Sequence, residues 1–124
     1  MSDYEKDLLT EKIIGYCFQI HNELGPGFPE KIYHNAFVSL LKDQKVVFET
    51  EKEFDVYFRK KKVGRFRSDL VIESRLIVEL KSVEGYMPKI FTSQVLAYLK
   101  ATRIKTGLLI NFGNKSCDIK RLSV

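Results

Sequence analysis

No stretch of the 124-residue chain strings together the roughly 20 apolar residues that a membrane helix needs. The N-terminal MSDYEKDLLTEK carries acids where a secretory leader would place a basic and then an apolar stretch. Both absences lead us to expect a soluble, cytoplasmic protein with no membrane partner, in which the sequon Asn114-Lys115-Ser116 has no glycosylation role. Cysteine is scarce. Cys17 and Cys117 lie far apart and outside any ligand-like cluster, so neither a zinc site nor a disulfide scaffold is suggested, and both read as small core or surface residues. Repeats, low-complexity tracts and linkers are lacking too, and a chain of this length has room for a single domain, residues 1–124.

What is present is charge, unevenly spread. The formal net charge is +5, and six of the nine residues in RKKKVGRFR are basic: Arg59, Lys60, Lys61, Lys62, Arg65 and Arg67. A polyanionic partner would suit this cluster, and so would a solvated hairpin whose lysines keep a sheet edge from aggregating.

Hydrophobic spacing places a first helix from Leu8 to Leu24, stopped by Gly25-Pro26-Gly27, and a second from Glu30 until the polar segment LKDQK. After Lys45 the chain turns β-branched and aromatic. VVFETE, FDVYFR, FRSDLVIE and RLIVELKSV read as four strands in a meander, with one turn around KKKVGR and another near Glu73-Ser74-Arg75. Pro88 suits the start of a third helix ending near Thr102, and TGLLINFG and CDIKRLSV supply two more strands. The expected fold is mixed α/β (α+β), a central mixed β-sheet flanked by helices in the order α-α-β-β-β-β-α-β-β.

Within RLIVELKS, Ile77, Glu79 and Lys81 share one face and Leu76, Val78 and Leu80 the other, both largely apolar. A central strand covered on both sides cannot leave a charge alone, because an unpaired one costs several kcal/mol. One reading is a partly buried ion pair or charges at the strand's wet end. The preceding strand adds Asp69, which a turn at Glu73-Ser74-Arg75 would bring opposite Glu79. Two carboxylates that close repel one another, and a hard divalent cation relieves the conflict, with the Leu80 carbonyl as a further oxygen.

Asp69, then nine residues, then Glu79-Leu80-Lys81 resembles the D…(D/E)xK signature of the PD-(D/E)xK nuclease superfamily. GFPEKIY, Gly27 to Tyr33, is similar to the GxxExxY motif of one family of small proteins within it, and Gln94 and Tyr98 in SQVLAYLKAT match the QxxxY spacing of a recombination-type branch. Ser68 departs from the signature's proline, at a position whose side chain is not a metal ligand. The resemblance covers almost the whole chain. It implies a restriction-endonuclease-like core and a Mg²⁺- or Mn²⁺-dependent deoxyribonuclease. Asp69, Glu79, the Leu80 carbonyl and the helix-borne Glu30 would hold the metal, Lys81 would position the water and stabilise developing charge, and Gln94 and Tyr98 would orient Lys81 or touch a phosphate. The basic hairpin would follow the DNA backbone without reading sequence. Target choice would fall to a homodimer or a protein partner. The alternative is a weak or inactive nucleic-acid-binding or regulatory module with the same fold. His21 reads as a core histidine, and Tyr33 as packing beneath Glu30 or donating a hydrogen bond.

Overall fold

Two helices open the chain, and their apolar stripes settle on one side of a sheet built by everything that follows. The computed structural model describes residues 3–124. Its elements are α1 (Asp3–Leu24), α2 (Glu30–Asp43), β1 (Phe48–Phe58), β2 (Lys61–Ile72), β3 (Leu76–Lys81), α3 (Lys89–Thr102), β4 (Thr106–Asn111) and β5 (Asp118–Ser123). The strands lie in sequence order in one sheet. All neighbours are antiparallel except β3 and β4, which run parallel because α3 carries the chain back between them. This is the mixed sheet flanked by helices that the sequence implies. No helix among the described residues is long and apolar enough to cross a membrane.

Two details differ from the sequence reading. VVFETE and FDVYFR are not successive strands, since β1 runs as one eleven-residue strand paired with β2 from Phe48↔Ile72 to Phe58↔Lys61. The hairpin turn also comes earlier than KKKVGR suggested: Arg59 and Lys60, both with positive φ, form the two-residue turn, and Gly64 lies within β2 opposite Val56. That backbone twists the way paired strands do, which is why it closes hairpins even where neither residue is glycine.

The core has two layers. Leu70, Ile72, Leu76, Val78, Leu80 and Leu108 pack against α1 and α2, and Val71, Ile77 and Leu109 pack against Val95 and Leu99 of α3. This alternation along β3 puts Glu79 on the α3 side, in step with Ile77. Cys17 and Cys117, remote in sequence, meet on the α1 side of the core, where Cys117 packs against the cluster that contains Cys17. Both thiols have their pKa raised by burial, Cys117 to about 11.

Side chains pin the loops around the sheet's end. The Tyr33 hydroxyl donates to the Gly25 carbonyl (2.6 Å) and accepts from the Phe28 amide (3.2 Å), while its ring stacks on Phe112 at 4.5 Å. The GPGFP loop is thereby held where α2 begins. Tyr33→Phe should lower unfolding stability by about 1 kcal/mol, the effect of leaving a part-buried carbonyl and an amide without their partner. Denaturant melts would check this, and an unchanged midpoint would show that the loop needs no such tie. Asn111, fully buried, accepts from the Val83 amide and donates to the Val83 carbonyl, and Asn114 grips Gly85 in the same reciprocal way. His21 is a core histidine, as its sequence position implied: it is buried, with Nε2 2.8 Å from the Asn114 carbonyl.

Candidate nuclease site

The site begins where a ladder stops. β2 and β3 pair at Ile72↔Leu76, Val71↔Ile77 and Leu70↔Val78, and their backbone pairing ends there, one step short of Asp69 and Glu79. The expected turn is what sets this register: Glu73 and Ser74 both take left-handed backbone, and the Arg75 amide closes onto the Ile72 carbonyl. Beyond Val78 the two carboxylates take over as hydrogen-bond acceptors. The Asp69 amide donates to Glu79 Oε2 (3.1 Å), and the Leu80 amide donates to Asp69 Oδ2 (2.9 Å). Each acid therefore caps the other's strand.

That closeness has an electrostatic cost. Glu79 is buried, and desolvation together with the hydrogen-bonded, like-charged Asp69 pushes its carboxyl up to about 9. Glu30, at the first position of α2, is raised too, chiefly by burial and then by Asp69, with Lys81 and His34 pulling the other way. Tyr98 on α3 is raised by burial and by the charges of Glu79 and Asp69. Glu30, Asp69, Glu79, Lys81 and Tyr98 thus belong to one electrostatic neighbourhood supplied by α2, β2, β3 and α3.

Among the described residues Lys81 and Glu79 form no ion pair, although the Lys81 charge acts on both Glu79 and Glu30 from the half-buried end of β3. The Lys81 Nζ lies 4.4 Å from the centre of the Phe91 ring, a cation–π contact that steadies an ammonium without neutralising it. Leu80 contributes its amide to Asp69 and buries its side chain among α1 and α2. Gln94, one turn before Tyr98, is exposed, and no hydrogen bond ties its side chain to Lys81. Tyr98 stacks on Phe66 of β2 at 4.1 Å.

The donor set suits a hard divalent ion. Two carboxylates that share a site and resist joint ionisation are what Mg²⁺ or Mn²⁺ relieves, and Mg²⁺ commonly takes one or two carboxylates and keeps its waters. Among the described residues, however, no group of three His, Cys, Asp or Glu side chains stands ready to hold a metal. Glu30 therefore feels the charge of Asp69 without being gathered into a three-acid cage. His34 was missed in the sequence. It sits one helical turn after Glu30, with Nε2 3.4 Å from the Asp69 carbonyl, and the i, i+4 spacing of Glu30 and His34 is the signal that could have found it.

The basic hairpin divides in two. Arg65 bonds Glu53 (2.8 Å) and lies 3.6 Å from Asp55, Arg67 reaches Glu53 (3.4 Å), and Lys62 reaches Asp55 (3.2 Å). Among the described residues Arg59, Lys60 and Lys61, at the tip, enter no such pair. The unpaired positive charge of RKKKVGRFR is thus concentrated at its first three residues.

An open groove of about 650 Å³ adjoins the site, lined by Gly27, Phe28 and Pro29 on one side and by Ser82, Glu84 and Lys115 on others. It borders Glu30 and Lys81 through their chain neighbours, and neither residue lines it.

A mixed sheet whose paired acids and lysine sit where two strands part defines a class of protein, and comparison with known families agrees. The family model of the PD-(D/E)XK nuclease superfamily matches residues 7–122, so the chain belongs to that superfamily. Among solved structures it is similar to one titled "Crystal structure of SSO0001", at 21% identity and a TM-score of 0.61. That match covers 75% of this chain and 48% of the other, so the chain spans about half the length of that structure, and the likeness is one of fold. No curated protein matches the chain.

Proposed function

We propose that the protein is a metal-dependent deoxyribonuclease of the GxxExxY branch of this superfamily. The observation that carries the reading is the reciprocal capping of β2 and β3 by Asp69 and Glu79, which puts two carboxylates on one spot with Lys81 beside them. Asp69 and Glu79, with the Leu80 carbonyl, would hold Mg²⁺ or Mn²⁺. Such an ion would lower the pKa of a bound water and polarise the phosphodiester. The branch assignment draws on GFPEKIY, where Gly27 has a φ of 107°, Glu30 answers to the charge on Asp69, and Tyr33 ties the loop down.

The chain's own residues divide the remaining work. Lys81, steadied by Phe91 and free of an ion pair, meets the negative charge that develops on the phosphate. Glu30 and His34 form an outer acid and donor pair on α2, with His34 fixing the Asp69 backbone. Gln94, exposed one turn from Tyr98, would contact substrate rather than orient Lys81. Supercoiled plasmid and circular single-stranded DNA, incubated with the protein in Mg²⁺ or Mn²⁺, should be cleaved, and EDTA should stop it. Intact DNA under all these conditions would reject the reading.

A second reading, a nucleic-acid-binding module with the fold but little chemistry, draws on the lack of a ready three-acid metal group among the described residues. Calorimetry separates the two: the nuclease should bind Mn²⁺ at or below millimolar concentration, and loss of that binding in Asp69→Ala should accompany loss of cleavage.

A further inference from the structure

Phe48 of β1 packs with α1 and α2, yet Phe54, six residues later, packs with α3. An uninterrupted strand would keep both on one face. On β2 the same change occurs, Leu70 facing the α1 and α2 side while Phe66 stacks on Tyr98 of α3. The switch falls at the pair Glu51 and Asp69, where Glu51 has a φ of 49° and the ladder skips from Thr50↔Leu70 to Lys52↔Ser68. Asp69 is therefore also the point from which the hairpin turns an apolar face toward the site side.

That face leads from the site toward the tip. Tyr98, which feels the charges of Glu79 and Asp69, stacks on Phe66, and Phe66 stacks on Phe54 at 5.3 Å, with Lys52 Nζ 5.5 Å from the Phe54 ring centre. Val56 follows opposite Gly64, and past a register shift between Val56 and Tyr57 the ladder ends with Lys61 opposite Phe58. The other face carries Glu53 and Asp55 paired with Arg65, Arg67 and Lys62, so each of its cations shares a carboxylate. At the tip Phe58 is 61% exposed, with the Arg59 guanidinium 5.2 Å from its ring centre, and Arg59 and Lys60 occupy a strained turn. An exposed Phe58 ring at the end of a stacked aromatic row, beside three cations that enter no ion pair among the described residues, suits one kind of occupant: a strand whose bases are unstacked and whose backbone is anionic. A neutral or acidic apolar partner would leave the three cations without a counterpart, and a fully paired duplex would offer the rings no base faces.

Building on the nuclease reading above, we propose that this hairpin face is the track for an unpaired strand of the substrate, with Phe58 as its outer stacking platform. Substrates would then need a single-stranded segment. From Lys61 to Asp69 is eight residues of strand, about 26 Å at ~3.3 Å per residue, which a stacked strand spans in about eight nucleotides at ~3.4 Å each.

The chain contains no tryptophan, so Phe58→Trp installs a sole reporter. In a Glu79→Gln background, which prevents cleavage, its fluorescence should be quenched by single-stranded oligonucleotides. Affinity should rise with length to about eight nucleotides and then level off. A blunt duplex with the same number of phosphates should quench far less. Phe58→Ala should weaken binding of a 12-mer by about 10-fold or more, the effect of losing one stacked base, while Tyr57→Ala, on the opposite face, should not. Equal quenching by duplex and single strand, equal losses in the two alanine variants, or quenching that follows self-association of the protein in place of nucleic acid would each overturn the track. Failure of the nuclease reading would appear separately, as Phe58→Trp protein with Glu79 intact that is quenched normally by single strands while neither it nor the wild type cleaves them.

Discussion

Glu79→Gln and Asp69→Asn are each expected to reduce metal-dependent DNA cleavage by at least about 10³-fold while leaving the protein folded. The amide oxygen of either variant can still accept from the Asp69 or Leu80 amide, so the junction of β2 and β3 keeps its caps. What disappears is the second negative charge, and with it the reason for a divalent cation to settle there. Circular dichroism would confirm the fold, and a plasmid nicking assay would read the chemistry. Activity within tenfold of wild type in either variant would mean that this pair is not the metal site. Lys81→Met should cost less, about 10²-fold, because it removes charge stabilisation and leaves the carboxylates intact.

Metal-free protein should lose stability as pH rises from about 4.5 to about 9. Glu79 has its folded-state pKa raised, so between those values the native state holds a proton that the unfolded chain has released, and linkage then makes stability fall with rising pH. Ionising a carboxyl displaced this far costs on the order of 6 kcal/mol at ~1.4 kcal/mol per pH unit, a large part of the ~5–15 kcal/mol that holds a domain together. A cation that binds only the deprotonated pair displaces the proton, so metal affinity should climb over the same range. Thermal melts in EDTA should therefore show Tm falling from pH 5 to pH 9, excess Mn²⁺ should flatten the slope, and Glu79→Gln should remove it. A Tm that rises steadily over this interval in EDTA would show that Glu79 is ionised in the native state.

The core of the site was legible because hairpin geometry is local. A turn at Glu73-Ser74-Arg75 leaves one register for the strands on either side, and in that register Asp69 meets Glu79. The helices were legible for the same reason, their apolar stripes being periodic and their ends marked by Gly25-Pro26-Gly27 and Pro88. What escaped depends on partners remote in sequence or on backbone that no residue type announces. Nothing in the letters of VVFETEKEFDVYFR says that Glu51 adopts a positive φ and turns the strand's faces over. The basic run looked uniformly available until β1 laid Glu53 and Asp55 across from Arg65, Arg67 and Lys62, a consequence of register rather than composition. The meeting of Cys17 with Cys117 required α1 and the segment before β5 to share one side of the sheet. His34 lies one residue past GFPEKIY, and its approach to the Asp69 carbonyl depends on how α2 sits against β2, a contact between residues remote in sequence.

The two carboxylates that end the β2–β3 ladder have a practical consequence for spectroscopy. Because the amides of Asp69 and Leu80 donate into the acids themselves, their proton resonances are tied to the charge state of the pair. Titration with acid, with Mn²⁺'s diamagnetic counterpart Mg²⁺, or with an oligonucleotide can thus be followed at two backbone positions, in wild-type protein and with no label at the site.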